Sequence, residues 1–226
     1  MTDEAIAEAA AHQRYTRVAA WLHWAIAALI LYNLTSGLLR DVLPRGFFAY
    51  HVSSGITILI LTLVRVGWRL THRPPPYLTV KRWQANLAHG VHFLLYVAMV
   101  MVPFSGWALI SASPPLGSPG AVHAFEQQVE KARAEGKPAP KPRTPRMLWG
   151  VVEIPSIGPV AKIGSTPEGL AEQRELHERI ETTHLIGAWL MLFLLILHIA
   201  GALKHQFVDR LPELARMRLG RAGPDA

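Results

Sequence analysis

Apolar residues are concentrated in four long runs that polar connections separate. The runs extend over residues 18–39, 47–70, 87–110 and 184–203. Each run is close to the ~20 residues that an α-helix needs to cross ~30 Å of hydrocarbon. The pattern therefore predicts an all-α integral membrane protein, in which four helices form a bundle and residues 1–226 form a single domain.

The third polar connection, residues 111–183, is much longer than the other two. Its part 117–145 is rich in Pro, Ala, Gly, Lys and Arg, a composition that lacks the apolar periodicity of a packed element. We therefore predict a flexible insertion there. The segment 148–160, LWGVVEIPSIGPV, is apolar enough to pack on the end of the bundle.

Lysine and arginine are unequally distributed among the connections. The first connection has only Arg40 and Arg45. The N-terminal flank, the second connection and the tail from Lys204 hold more, among them Arg14, Arg17, Arg65, Arg69, Arg73, Lys81 and Arg82. Cytoplasmic loops of membrane proteins carry the excess of basic residues, so both termini are predicted to be cytoplasmic. The long connection is then predicted to be periplasmic, since long loops cross the membrane largely regardless of charge.

Composition narrows the possible functions. Half of the 226 residues are hydrophobic, 17% are charged and the formal net charge is +7. The basic residues border the apolar runs, so membrane topology explains the charge and we expect no nucleic-acid partner. The chain has no cysteine, which excludes disulfides, iron–sulfur clusters and covalently attached c-type haem.

Histidines recur every seven residues through the fourth run, in a stripe that comprises His177, His184, Met191, His198 and His205. His184 and His198 bracket the apolar part of the run. An ionisable side chain within a membrane is expensive and indicates function, and imidazole is the commonest metal ligand. Fourteen residues of helix separate the two rings by roughly 21 Å along the helix axis.

Partners for these two histidines come from other helices at matching depth. His23 lies near the cytoplasmic end of the first run, at the depth of His198, and His51 lies near the outer end of the second run, at the depth of His184. Topology thus predicts two imidazole pairs. At the inner site His89 and His92 at the start of the third run are rival ligands.

Together the four runs resemble the bacterial cytochrome b561 family. The resemblance extends over RYTRVAAWLHW, YHVSSGITILILTLVRVGWRL, LAHGVHFLLYVAMVMVPFSGW and HLIGAWLMLFLLILHIAGALKHQFVDRLPELARM. It implies two non-covalent b-type haems in a bacterial inner-membrane protein. The family's iron ligands then fall on His23, His51, His184 and His198.

Arginines near the ends of the runs are candidates for binding the haem propionates, because a guanidinium recognises a carboxylate in a bidentate manner. Arg65 and Arg69 lie one turn apart at the inner end of the second run, and Arg17 precedes the first run. Their role in setting topology is an alternative explanation.

The resemblance also implies a reaction. Family members similar to this chain oxidise superoxide on the periplasmic side and reduce ubiquinone in the lipid membrane. A second hypothesis is a cytochrome b subunit that docks a periplasmic dehydrogenase or hydrogenase and conducts its electrons. A third is a transporter with histidine proton relays, which does not explain why the histidines pair at two depths.

Overall fold

The computed structural model describes residues 14–44, 46–72, 75, 81–211 and 213–219. Arg45 and Arg73, two of the residues behind the predicted orientation, lie outside this part of the chain. The elements in chain order are α1 Arg17–Leu38, α2 Gly46–Thr71, α3 Arg82–Ser111, α4 Pro119–Ala134, β1 Met147–Leu148, β2 Val152–Glu153, α5 Gly158–Lys162, a 3₁₀ turn Ile163–Ser165, α6 Leu170–Phe207 and α7 Glu213–Arg216.

The helices α1, α2, α3 and α6 are long and apolar enough to cross a membrane. They cover the four predicted spans, except that α1 ends one residue before the predicted end at residue 39, so the predicted all-α membrane fold is confirmed. Helix α6 has 38 residues and begins 14 residues before His184. Its charged first third lies outside the apolar run that predicted the span.

The described chain divides into two compact units, to which each spanning helix contributes one part. One unit, here called the terminus unit, comprises Met1–Thr35, Thr57–Met101 and Ala188–Ala226. The other, the connection unit, comprises Ser36–Ile56 and Val102–Gly187.

The terminus unit has a core to which all four spanning helices contribute. Its buried members are Ile26, Ile30, Ile58, Leu95, Ala98, Met99, Met191 and Leu194. Large apolar side chains also cover the outside of the same helices, among them Leu31, Ile60, Leu63, Phe93 and Phe193, each at least half exposed. Such a surface is typical of helices that face lipid, since hydrocarbon tails are as apolar as leucine.

The C-terminal segment of the terminus unit contacts the beginning of α1. The Trp24 Nε1–H donates a 2.9 Å hydrogen bond to Met217 O, and the Tyr15 amide donates one to Arg216 O. The Arg216 guanidinium is buried and lies 5.7 Å from the centre of the Tyr15 ring, within the range of a cation–π contact. These contacts attach the tail to the helix that carries His23.

The segment 148–160 of the connection unit packs against α2 and α3, as its apolar composition predicts. Trp107 Nε1–H donates to Pro155 O at 2.8 Å. The Ile157 amide donates to Ser111 Oγ at 3.0 Å. Strands β1 and β2 pair antiparallel, with Met147 opposite Glu153 and Leu148 opposite Val152, and Ile154 beyond them is buried.

The predicted flexible insertion, residues 117–145, contains a helix over much of its length. In α4 the Ser118 Oγ caps the first turn by accepting from the Ala121 amide at 3.2 Å, and Pro119 occupies the first helical position. Both features favour helix initiation. The expectation of an unstructured segment is therefore wrong for Pro119–Ala134, because local capping and the helix-forming sequence AVHAFEQQVEKARA outweigh the overall composition.

Helix α4 is attached to the rest of the connection unit through glycines. A Cβ added at Gly120 would overlap the carbonyl oxygen of Gly164, and one added at Gly164 would overlap the Gln173 side chain. Gln173 is buried, and its Nε2 donates to Ala161 O at 3.3 Å. Backbone therefore packs directly on backbone between α4 and the turn that precedes α6.

This close approach predicts that Gly120→Ala destabilises the connection unit. Overpacking of this kind costs roughly 1–3 kcal/mol, and the obstructing atom is a backbone oxygen that cannot rotate away. We expect a lower melting temperature by intrinsic tryptophan fluorescence and faster tryptic cleavage in α4. Gly158→Ala is the matched control, because nothing lies within 4 Å of its Cβ position. Equal melting of the two variants would contradict the proposed contact.

Candidate functional site

The connection unit brings His51 of α2 and His184 of α6 together, as their predicted depths require. The centroids of the two imidazoles are 6.4 Å apart and their planes are inclined by 78°. Both side chains are half-buried. The two helices thus present one imidazole each to a common point within the unit.

This separation suits a metal ion bound axially between two imidazoles. Metal–imidazole bonds are about 2 Å long, and the ring centroid lies about 1.1 Å beyond the bonded nitrogen, so two ligands on opposite sides of one ion have centroids about 6.3 Å apart. The observed 6.4 Å agrees with that value. The residues present therefore fit an iron with two axial histidines.

Serine hydroxyls approach the Nδ1 atom of each imidazole. Ser36 Oγ of α1 lies 3.1 Å from His51 Nδ1, and Ser105 Oγ of α3 lies 3.0 Å from His184 Nδ1. Val102 O is also 3.1 Å from His184 Nδ1. A carbonyl oxygen only accepts, so His184 donates from Nδ1 and its Nε2 holds the lone pair that a metal needs. Hydrogen bonds at the second ring nitrogen are what orient histidine ligands.

A glycine follows each of these serines and makes room for the same imidazole. A Cβ at Gly37 would lie 3.1 Å from His51 Cε1, and a Cβ at Gly106 would lie 3.1 Å from His184 Cε1. Both distances are tighter than ordinary side-chain packing. Each imidazole is therefore placed by a Ser-Gly pair on a neighbouring helix, Ser36-Gly37 on α1 and Ser105-Gly106 on α3.

The terminus unit holds the second predicted pair. The imidazole centroids of His23 on α1 and His198 on α6 are 6.1 Å apart and their planes are inclined by 71°. This spacing is again close to that of two axial ligands. The terminus unit therefore has the same basic arrangement as the connection unit, with one ligand supplied by α6 in each.

His92 of α3 also approaches His198, with centroids 5.0 Å apart. That distance is too short for a metal ion bound axially between the two rings. The Nδ1 of His92 donates to Ala88 O at 2.7 Å, and the Nδ1 of His89 donates to Ala85 O at 2.7 Å. Of the two rivals for the inner site, His92 lies beside the pair and His89 is an exposed residue on its own helix.

The three candidate arginines all lie in the terminus unit. The Arg65 guanidinium donates to Tyr96 Oη of α3 at 3.0 Å and to Ala19 O of α1 at 2.9 Å. Arg17 and Arg69 are exposed. Arg65 therefore joins three helices around the histidines, a contact that sequence reasoning missed because Tyr96 gives no local signal.

The remaining histidines of the α6 stripe have other partners. His177 Nδ1 donates to Ala112 O at 3.1 Å, which ties α6 to the end of α3. His205 Nδ1 lies 2.7 Å from Asp209 Oδ2, which Lys204 also contacts at 2.6 Å. The hydrogen bonds from Lys204 and His205 lower the pKa of the Asp209 carboxyl. Neither His177 nor His205 belongs to one of the two imidazole pairs.

Two cations in the connection unit lie close to each other after α4. Burial lowers the pKa of Arg143 and of Arg146, and for Arg146 the charge of Arg143 lowers it further. Arginine nevertheless stays protonated at neutral pH. Arg143 donates to Pro114 O and to Ser113 Oγ, at 3.2 and 2.9 Å, so this positive charge is fixed at the end of α3.

Known proteins similar to this chain include a cytochrome b562, a probable superoxide oxidase and a cytochrome b561 homologue. Cytochrome b562 from Cereibacter sphaeroides is 37% identical over 102 residues, which are 41% of this chain and 63% of that protein. The probable superoxide oxidase CybB of Yersinia pestis is 28% identical over 104 residues, 44% of this chain and 59% of that protein. Cytochrome b561 homolog 2 of Escherichia coli is 26% identical over 221 residues, 94% of this chain and 95% of that protein.

The match to the first two relatives covers less than two thirds of their length, whereas the match to the third covers nearly all of it. The family model for prokaryotic cytochrome b561 matches residues 14–220, a range that includes all four spanning helices and both histidine pairs. The chain therefore belongs to the prokaryotic cytochrome b561 family, whose members are haem-containing electron-transfer proteins of the membrane.

Proposed function

We propose that this chain is a membrane oxidoreductase with two b-type haems, one held by His51 and His184 and the other by His23 and His198. The observation that carries the proposal is the spacing of the two imidazole pairs, 6.4 and 6.1 Å between centroids. Each spacing would leave room for one iron held by the two imidazoles of the pair. When bound, haem iron supplies reversible one-electron chemistry.

The protein's own residues prepare the two sites. Ser36 and Ser105 orient the imidazoles of the connection unit through Nδ1, and Gly37 and Gly106 leave the space that the rings occupy. In the terminus unit Arg65 ties α2 to α1 and α3 around the second pair and keeps one cation at that end of α2, where it can bind a propionate. Arg17 and Arg69 can do so from the exposed surface.

Superoxide is the electron donor that we propose. Two superoxide ions give up one electron each and leave as two molecules of O₂. One ubiquinone takes these two electrons together with two protons and becomes ubiquinol. The cations of the connection unit support an anionic donor, because a positive field raises the on-rate of a small anion. The name of the Yersinia relative points to the same reaction.

We propose ubiquinone as the acceptor, and the apolar surroundings of the helices support this choice. Its reactive ring and tail dissolve in the hydrocarbon that the exposed apolar side chains of α1, α2, α3 and α6 face. We propose that the connection unit is on the periplasmic side of the bacterial inner membrane and that both termini are cytoplasmic. Superoxide then arrives from the periplasm and the quinone from the membrane.

The histidine assignment predicts that His51→Ala and His184→Ala each remove one of two haems. The pyridine haemochrome content per chain of protein purified from membranes should halve, since the pair in the terminus unit is unchanged. His123→Ala in α4 is the matched control and should keep both haems. Equal loss of both haems, in a variant whose tryptophan melting is unchanged, would contradict the assignment.

The Ser-Gly pairs predict that Gly106→Leu displaces His184. A side chain there overpacks against the imidazole at a cost of roughly 1–3 kcal/mol, so most of the haem in the connection unit should be lost. Gly67→Leu is the control, because nothing lies within 4 Å of its Cβ position. Low-spin haem signals in electron paramagnetic resonance should change in the first variant and not in the second. Two identical spectra would mean that Gly106 does not position the ligand.

Electrostatic steering predicts that superoxide reduces the cytochrome more slowly as salt rises, because the Debye length falls from ~10 Å at 0.1 M to ~3 Å at 1 M. Replacing Lys137, Lys141, Arg143 and Arg146 by Gln should lower the rate at low salt by about tenfold and leave haem content unchanged. Stopped-flow absorbance with pulse-generated superoxide measures both effects.

The control for this experiment removes four cations from the terminus unit, namely Lys81, Arg82, Arg210 and Arg218, which are all exposed. It lowers the net charge by the same amount as the first variant. A similar loss of rate would mean that the net charge of the protein, and not the local cluster, determines the rate. If superoxide does not reduce the cytochrome at all, the chain is better explained as an electron-conducting subunit for a periplasmic dehydrogenase or hydrogenase.

A further inference from the structure

Six apolar side chains at the start of α2 and in the β1–β2 hairpin form an exposed surface beside the proposed redox site, since the Phe48 ring is stacked on that of His51 at 6.0 Å. We call it the hairpin patch, and it comprises Phe47, Phe48, Tyr50, Trp149, Val151 and Val152. Val151 is 76% exposed and Val152 is 59% exposed. The rings of Tyr50 and Trp149 are 6.2 Å apart, so the start of α2 and the hairpin present one continuous surface.

The turn that carries Trp149 is held in a strained conformation. The Val151 amide donates to Leu148 O at 3.0 Å, and the two residues between them, Trp149 and Gly150, have φ of 52° and 77°. Two positive φ angles match a type I′ hairpin turn, but they are unfavourable for a bulky residue such as tryptophan. Strain of this kind usually persists where it has a function.

Ser53 fixes this turn against α2. Its hydroxyl is buried and accepts from the Trp149 amide at 2.9 Å, and it donates to Ala49 O at 3.0 Å in the preceding turn of the helix. The hairpin is therefore attached to the first two turns of a spanning helix. Its position relative to the membrane surface is set by α2 and not by the length of the connection.

The position of the patch favours the membrane as the surface that covers it. Phe47, Phe48 and Tyr50 lie in the first residues of α2, which begins at Gly46 and is apolar enough to span the bilayer. Tyrosine and tryptophan, here Tyr50 and Trp149, are enriched at the membrane–water interface, where their amphipathic rings lie at the level of the headgroups. The patch continues the lipid-facing surface of α2, so the membrane itself reaches it before any soluble protein can.

The charges next to the hairpin match a phospholipid headgroup. Lys137, Lys141, Arg143 and Arg146 precede β1. Lys137 forms a 2.7 Å ion pair with Glu135, and no acidic residue occurs from Gly136 to Val152, between Glu135 and Glu153. Arg146 lies at the base of the hairpin, because its carbonyl oxygen accepts from the Ile154 amide at 2.8 Å. Basic residues beside an amphipathic surface attract anionic lipids at about 1 kcal/mol each.

We infer that the hairpin patch is an interfacial anchor that inserts into the headgroup region of the leaflet next to the connection unit and binds anionic phospholipid through Arg143 and Arg146. The side chains of Trp149, Val151 and Val152 enter the boundary between headgroups and acyl chains. Their burial holds the connection unit at a fixed depth. The anchor shares Arg143 and Arg146 with the proposed steering of superoxide, but the depth of the hairpin can be measured without any electron donor.

The absence of cysteine permits a direct test on the full chain. A nitroxide spin label is attached to Val151→Cys, and the holoprotein is placed in vesicles of phosphatidylcholine with or without phosphatidylglycerol. The ratio of collision rates with oxygen and with a water-soluble nickel chelate reports depth. We expect this ratio to be several-fold higher than for a label on Gln127→Cys, an exposed position of α4.

Two further variants test the insertion of the Trp149 ring and the binding of anionic lipid separately. Trp149→Gly relieves the strain and removes the ring, so it should lower the oxygen preference of the label at residue 151. Arg143→Gln combined with Arg146→Gln should abolish the gain in depth that phosphatidylglycerol produces. A label at residue 151 that collides with the nickel chelate as readily as the label at residue 127, in both lipids, would overturn the anchor and leave the patch available to a soluble partner.

Discussion

The spacing of paired imidazoles is the constraint on which the rest of the structure depends. A separation near 6 Å would leave room for one metal ion between two imidazoles, and it must be maintained between helices that are closely packed. Ordinary apolar packing would close such a gap. The helices keep it open with small and hydrogen-bonding residues beside the rings, and the arrangement explains why Ser36-Gly37 and Ser105-Gly106 occur where they do.

The two units meet this constraint in different ways. In the connection unit each imidazole has a hydroxyl at Nδ1 and a glycine against its edge. In the terminus unit a third imidazole, His92, lies beside His198, and Arg65 supplies a fixed cation. Hydrogen bonds at the second ring nitrogen make a histidine ligand more basic, whereas neighbouring cations favour an electron-rich metal. The two histidine pairs therefore have different surroundings.

The sequence predicts the spans and the histidine pairs well because both depend on long-range regularities. Runs of apolar residues follow from bilayer thickness. The order of the spans predicts that His51 lies at the depth of His184, and His23 at the depth of His198, without any knowledge of the packing. The hydroxyls of Ser36 and Ser105 could not be assigned in that way, since a serine within a helix has many possible partners. A Ser-Gly dipeptide occurs on both α1 and α3 at the depth of the outer pair. This repetition is the sequence feature that indicates a contact between these serines and the two imidazoles.

The connection between the spans was harder to predict, since its structure depends on local capping and on strain. Ser118 and Pro119 initiate α4 within a composition typical of a flexible linker, and nothing in Leu148-Trp149-Gly150 indicates that tryptophan adopts a positive φ. The two proposals involve the same cations, since both assign an anion to Arg143 and Arg146. A superoxide anion and a phospholipid phosphate would then compete for these two side chains. If both proposals hold, steering of the donor depends on the charge of the surrounding leaflet, and it is strongest where the lipid is neutral.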